Sequence, residues 1–275
     1  MHDAKVRMST DLPKFSDPPV VESVIGVQFA PIAGYSSAVA GRFWGIHLGK
    51  EWTKTTEAPR IPDQFERFEN EALWTPPTVI FQQVPPGQSN RLQFTSANED
   101  RMIQIQDSRF ILNWRKQPNG AYPKYHTLFD EFMKLFQNFS SFVSEAGLGN
   151  IEPNAWELTY VNHIMRGDLW NSPLDFSKVV PGLKAVVAPG CNFESMSADW
   201  RYTLSNQRGR LYASVRHIKV VGNVEAMMIQ LLTRGGVSVE ENKSLDEGIM
   251  LGHEATARYF TALTSLEAQA RWGKA

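Results

Sequence analysis

Residues 91–115, RLQFTSANEDRMIQIQDSRFILNWR, decide the reading of the fold. Apolar and polar side chains alternate through the stretch, and on a pleated strand that period of two sends them to opposite faces. Three strands follow: Arg91–Thr95, Met102–Gln106 and Arg109–Arg115, separated by ANED and by a tight turn at Asp107-Ser108. A fourth, Thr78–Val84, precedes them across PPGQSN. Leu92, Phe94, Ile103, Ile105, Phe110, Leu112 and Trp114 share one face, and Arg91, Gln93, Gln104, Gln106, Arg109, Asn113 and Arg115 the other. Such a pattern suits an antiparallel sheet with one packed and one wet side.

Upstream, VVESVIGVQFAP (20–31) is a β-branched run closed by Pro31 and reads as a strand. YSSAVAGRFWGIHLG (35–49) reads as a helix weakened by Gly41 and Gly45, each costing up to ~1 kcal/mol against Ala. Residues 50–77 hold Pro59, Pro62, Pro76 and Pro77, and form a long connection with one helical turn near Phe65. Downstream, Pro123 fits a first helical position. Leu128, Phe132, Leu135, Phe139 and Phe142 then keep the spacing of one helix face up to Gly147.

The order then restarts. Trp156–Ile164 is a strand and residues 173–189 a proline-punctuated connection. Strands follow near Phe193–Leu204, Arg210–Val220 and Val224–Thr233, and a second long helix carries Leu245, Ile249, Thr256, Phe260 and Leu263 on one face. The expected fold class is α+β: duplicated β-α-β4-α-like halves forming a curved antiparallel sheet, with the long helices packed on one face. The halves are residues 18–150 and 151–275, sharing the sheet, behind a flexible lead-in over 1–17. This order resembles the saddle-shaped fold of the TATA-box-binding protein, an architectural likeness that carries no function with it.

The composition fits a folded chain with a real core: 42% of the 275 residues are apolar, with 16 Phe and 8 Trp. Twenty-eight Lys and Arg against 29 Asp and Glu leave a formal charge of −1, so the balance encodes no global attraction to nucleic acid or membrane. One cysteine excludes a disulfide framework and any multi-cysteine metal site. No apolar run approaches the roughly 20 residues that span a bilayer, and residues 1–19 lack the apolar stretch of a signal peptide. The expected location is cytoplasmic, with no membrane partner.

The polar face is the candidate binding surface. Its nominated residues are Arg109, Asn113, Arg115, Glu157, His163, Arg210 and Arg216. Arginines fork onto carboxylate or phosphate, and amides read hydrogen-bonding edges. An antiparallel sheet also keeps a wet face without any partner. The window Arg201–Lys219, which includes Arg210 and Arg216, holds five basic residues and no acid.

Catalytic motifs are missing. The chain has no H-E-x-x-H, no phosphate loop, no G-x-G-x-x-G after a strand and no G-x-S-x-G, so no metal and no cofactor is expected. Glu157 and His163 share a strand face but lie about 20 Å apart along it, too far for a dyad. His253, on the packed face of the last long helix two turns after Asp246, reads as a core histidine, and His217 as a buried one. Cys191 opens a strand and reads as a lone buried thiol. Trp74, Trp170 and Trp272 lie in connections or at the end and could anchor a partner. Thr264 three residues before Glu267 has the spacing of a capping box opening a short last helix, which Trp272 would dock on its own protein or on another chain.

Five phrases carry a family resemblance: PPVVESVIGVQF (18–29), MIQIQDSRFILNWR (102–115), YPKY (122–125), ELTYVNHI (157–164) and LGHEATARYFTALTSLEAQARWG (251–273). Together they resemble a sporadically distributed family of uncharacterised bacterial proteins of about this length. The resemblance implies an accessory gene, in mobile or anti-phage neighbourhoods, with no assigned activity. The function expected is a non-enzymatic binding or assembly module engaging a protein partner or a second copy. The alternative is a nucleic-acid or nucleotide binder, including a metal-independent phosphodiester-processing enzyme, working through the arginines of the sheet.

Overall fold

β-branched and aromatic residues alternating with polar ones form nine strands among the residues described by the computed structural model, which are 12–68, 91–118, 120–238 and 243–275. They are β1 (Val20–Phe29), β2 (Trp52–Ala58), β3 (Arg91–Ser96), β4 (Arg101–Gln106), β5 (Arg109–Arg115), β6 (Pro153–Met165), β7 (Ser197–Thr203), β8 (Arg210–Val220) and β9 (Val224–Gly236). All pair antiparallel in one open sheet of order β2-β3-β4-β5-β1-β6-β9-β8-β7. β1 and β6 lie side by side at the centre, flanked by β5 and β9, the strands that precede the two long helices. The architecture is α+β.

The helices cover one face. They are α1 (Ser37–Phe43), α2 (Tyr125–Glu145), α3 (Phe176–Val179), α4 (Leu245–Leu263) and α5 (Leu266–Arg271). α2 buries Leu128, Phe132, Phe139 and Phe142 from the expected stripe and adds Phe136, while Leu135 is only partly covered. Its phenylalanines close on Phe29 and Phe110, with ring centres 5.4–6.4 Å apart. Each such side chain contributes about 1.5–3 kcal/mol when fully buried. α4 settles onto the indole of Trp156 because Gly248 and Gly252, one turn apart, face it. A Cβ at Gly248 would come within 2.3 Å of Trp156 Nε1, and one at Gly252 within 2.7 Å of Cζ3.

Several expectations need correction. β2 lies inside the stretch read as a connection: Trp52, Thr53, Thr55 and Thr56 favour strand, and Pro59 ends it. No helical turn forms near Phe65, where the chain is irregular through Phe68. The strand expected at Thr78–Val84 lies outside the described residues. α1 is only seven residues long and passes into a π-helical turn at Trp44–Leu48, and the connection 173–189 contains a 3-10 turn and α3. β7 begins at Ser197, so Cys191 lies in the preceding loop, where it is exposed rather than buried.

The short last helix starts one residue later than the spacing suggested. Ser265 is its cap, with Oγ accepting from Ala268 N, while Thr264 Oγ1 donates back to Phe260 O. Trp272 is buried against Phe260 of its own chain, 5.3 Å between rings, and Trp170 is buried with its Nε1 donating to Ile164 O. Neither indole is therefore exposed for a partner. Trp74 lies outside the described residues. Of the expected lead-in, residues 1–11 also lie outside them, whereas Lys14–Asp17 pair with the C-terminal segment through Phe15 and Lys274.

No helix among the described residues is long and apolar enough to cross a membrane.

Candidate functional site

The sheet face away from the helices carries two rows of polar side chains. Strand register builds both. In the first row Gln106 of β4 pairs with Arg109 of β5, Arg109 with Gln28 of β1, Glu157 of β6 with Arg234 of β9, and Arg234 with Arg210 of β8. Gly26 stands opposite Glu157 and leaves it room: a Cβ there would lie 2.8 Å from Glu157 Cγ. Glu157 thus reaches over β1 and accepts from Arg109 NH1 at 3.1 Å.

Residues 59–68, PRIPDQFERF, lie across this row. Sheet side chains hold their backbone. Ile61 N donates to Gln106 Oε1 at 2.9 Å while Gln106 Nε2 donates to Ile61 O at 2.9 Å. Arg109 NH2 donates to Pro62 O, Gln64 N to Gln28 Oε1, and Arg210 NH2 to Arg67 O. From Ile61 to Arg67 an extended chain reaches about 20 Å. The five strand-to-strand steps from β4 to β8 make about 24 Å at ~4.8 Å each. The near match shows a strap laid straight across the strands, with arginine side chains closing the difference.

Glu66 anchors its far end. The carboxylate, with only 3% of the side chain exposed, accepts from Arg234 Nε at 2.8 Å and Tyr212 OH at 2.9 Å and is ion-paired with Arg210 NH1 at 3.1 Å. Burial pulls the Arg234 pKa down, but Glu66, helped by Tyr212 and Glu157, more than offsets it, and the net shift is upward. Arg210 also lies over the ring of Phe68, 5.0 Å to the centroid. The near end is fixed by Arg60, whose guanidinium donates to Asp107, Asp63 and Ser108.

The second row is a ladder of amides. Thr56 Oγ1 donates to Gln93 Oε1, Gln93 Nε2 to Gln104 Oε1, Gln104 Nε2 to Asn113 Oδ1, and Asn113 Nδ2 to Glu22 Oε1, at 3.0, 3.0, 2.6 and 2.7 Å. Every donor points the same way and the chain ends on a carboxylate, so each bond polarises the next.

The nominated residues therefore divide. Arg109, Glu157 and Arg210 lie in the strap row. Asn113 belongs to the ladder, and Arg115, exposed, donates to Glu22 at its end. His163 is on the same face near Glu22; partial burial lowers its pKa, partly offset by that carboxylate. Arg216 stands apart, paired with Asp199 on β7 at 2.6 Å. The basic window is balanced by acids from elsewhere in the chain, since Arg208 pairs with Glu247 and Arg210 with Glu66.

Sequence reading missed Glu66, Arg234, Gln28 and Arg60. Alternation along its strand placed Gln28 on the polar face without singling it out, whereas Arg234 falls one residue past the strand read as Val224–Thr233, which in the structure runs to Gly236. Nothing in the sequence marks Glu66 among the acids of its connection.

On the opposite face His253 stacks on Tyr125, 3.7 Å between ring centres, and Tyr160 OH lies 3.0 Å from its Nδ1. Burial, with His126 nearby, lowers its pKa to about 4. His217 packs edge-on against Trp170 and Phe176. Among the described residues no three His, Cys, Asp or Glu side chains gather as metal ligands do. What the strap row does chemically is hold peptide groups and a carboxylate.

No protein-family model, curated protein or solved structure matches the chain.

Proposed function

We propose that this chain is a binding or assembly module that engages a protein partner through the polar face of its sheet. The observation that carries this reading is the strap itself. The N–H and C=O of Ile61, the carbonyls of Pro62 and Arg67 and the N–H of Gln64 are each met by a side chain of the sheet. A surface that satisfies the backbone of an extended peptide recognises peptides, with a side-chain pocket setting specificity. The arginines nominated for phosphate contact less favour nucleic acid, because Arg109, Arg115, Arg210 and Arg216 are each bonded to a carboxylate of the same chain.

The central position of β1 and β6 supports reading the chain as two related halves joined edge to edge, and the resemblance to sporadic bacterial proteins supports an accessory system as the setting. Light scattering on the eluting protein, alone and with the products of neighbouring genes, tests the proposal. A mass above that of the single chain is expected in at least one mixture. A strict monomer that retains none of them rejects it, and retention of RNA at low salt with steep loss at high salt would favour the nucleic-acid alternative.

A further inference from the structure

Residues 60–68 satisfy the row beneath them incompletely, and the mismatch has a direction. Arg91, Arg109, Arg234 and Arg210 face the strap row from β3, β5, β9 and β8 against the carboxylates of Glu157 and Glu66. The strap itself is neutral by count, its Arg60 and Arg67 matched by Asp63 and Glu66, so it does not remove that imbalance. Arg109 is 3% exposed and its Nε has no hydrogen-bond partner among the described residues, nor has the buried Nε of Arg91 beside it. Burial and the neighbouring Arg109 together lower the Arg91 pKa, the mark of a cation short of acceptors. Two donors are thus buried and unanswered in a row already rich in positive charge.

The strap also sits on the surface rather than in the core. Pro62, Asp63, Gln64, Phe65 and Arg67 are exposed, with Phe65 59% so, and none of residues 59–68 belongs to either apolar cluster. It is held by hydrogen bonds and ion pairs, each of which another peptide can supply. Removing it would uncover polar side chains that water can solvate.

We infer that the row beneath residues 60–68 is a docking groove for an extended, acidic peptide segment of a protein partner, and that the strap occupies it in cis as a placeholder. The anchor is a carboxylate side chain in the pocket of Arg210, Arg234 and Tyr212, where Glu66 now sits. The inference rests on the proposed binding role and names the partner's chemistry. A segment with more acid and fewer cations than PRIPDQFERF answers the excess charge and displaces the strap. Until it arrives, the groove is self-occupied and discriminates against weaker ligands, because a tethered segment competes at millimolar effective concentration.

The test uses the whole chain and a fluorescein-labelled peptide of residues 59–68. Anisotropy should show the Glu66→Gln protein binding this peptide at least about tenfold more tightly than wild type does, since its own strap has lost the anchoring charge. The same peptide carrying Glu66→Gln should lose that gain. Should Glu66→Gln fail to fold, hydrogen exchange on the wild-type chain decides instead. Excess peptide must speed exchange at the Ile61 and Gln64 amides and leave β9 unchanged. A folded Glu66→Gln protein that ignores the peptide, or that binds single-stranded RNA in its place, overturns the inference, as does a strap whose amides stay protected. A neighbouring gene product bound with equal affinity by both proteins and not displaced by the peptide also overturns it, while leaving the binding role standing. Peptide binding without any protein partner upholds the groove and counts against the assembly role.

Discussion

Glu66 Oε1 and Arg234 Nε meet at 2.8 Å across 168 residues of sequence, and this contact ties an irregular connection to the face of the sheet. The carboxylate is nearly buried, and Arg210 and Tyr212 complete its shell. Breaking such a pair by removing one partner leaves the other charge buried.

Glu66→Ala should therefore lower stability by no more than about 3 kcal/mol, the lower end for buried pairs, because the strap can then lift and let water reach both arginines. Urea unfolding followed by tryptophan fluorescence measures it. The double variant Glu66→Leu with Arg234→Met should recover most of the loss. No recovery would mean that the strap is held by something other than this charge pair.

Stability should fall on acidification through His253. Its folded pKa is about 4, lowered first by burial and then by His126, against about 6.5 when unfolded. Between those values the unfolded chain binds a proton that the folded chain refuses. Stability is therefore full above pH 6.5 and declines as the pH drops towards 4, by up to about 3 kcal/mol. Comparing wild type with His253→Phe at pH 7.5 and 4.5 isolates the effect. Equal pH dependence in both would assign the decline to other groups.

Two glycines in helices should respond oppositely to alanine. At Gly252 the new Cβ would lie 2.6 Å from Thr233 Oγ1 and 2.7 Å from Trp156 Cζ3. Overpacking there should cost about 1–3 kcal/mol, more than the helix gains. At Gly41 nothing lies within 4 Å, so Gly41→Ala should stabilise by up to ~1 kcal/mol. Thermal melts of both variants check the pair, and a stabilised Gly252→Ala would mean that α4 does not rest on Trp156 as described.

Trp272 lies where residues 14–17 meet the C-terminal segment. Its indole packs on Phe260, and Asp17 N and Ser16 N donate to the carbonyls of Trp272 and Gly273. Trp272→Ala should cost about 3–5 kcal/mol as a buried large-to-small change. Limited proteolysis should then cut near Lys14, where the wild-type chain resists. Unchanged cleavage would show that the N-terminal segment is fixed independently of the last helix.

Much of this was legible in single residues and their neighbours. Alternation put Arg109, Asn113, Arg210 and Glu157 on one face, and the structure keeps them there. The three-four spacing from Leu128 to Phe142 located α2 because an amphipathic helix writes its burial into its own sequence. The same local rule misplaced the cap of α5 by one residue, where adjacent Thr264 and Ser265 are both competent caps.

The sequence by itself determined which side chains each strand shows and which stripe each helix buries, since both depend on periods of a few residues. The tertiary structure alone decided where residues 59–68 run and which acids meet the arginines. That segment has no period, and its partners are Gln28 on one side of it and Arg109, Arg210 and Arg234 far along the chain on the other. Charge pairing depends on distance in space, and a net charge of −1 records only that the signs balance, not where they meet.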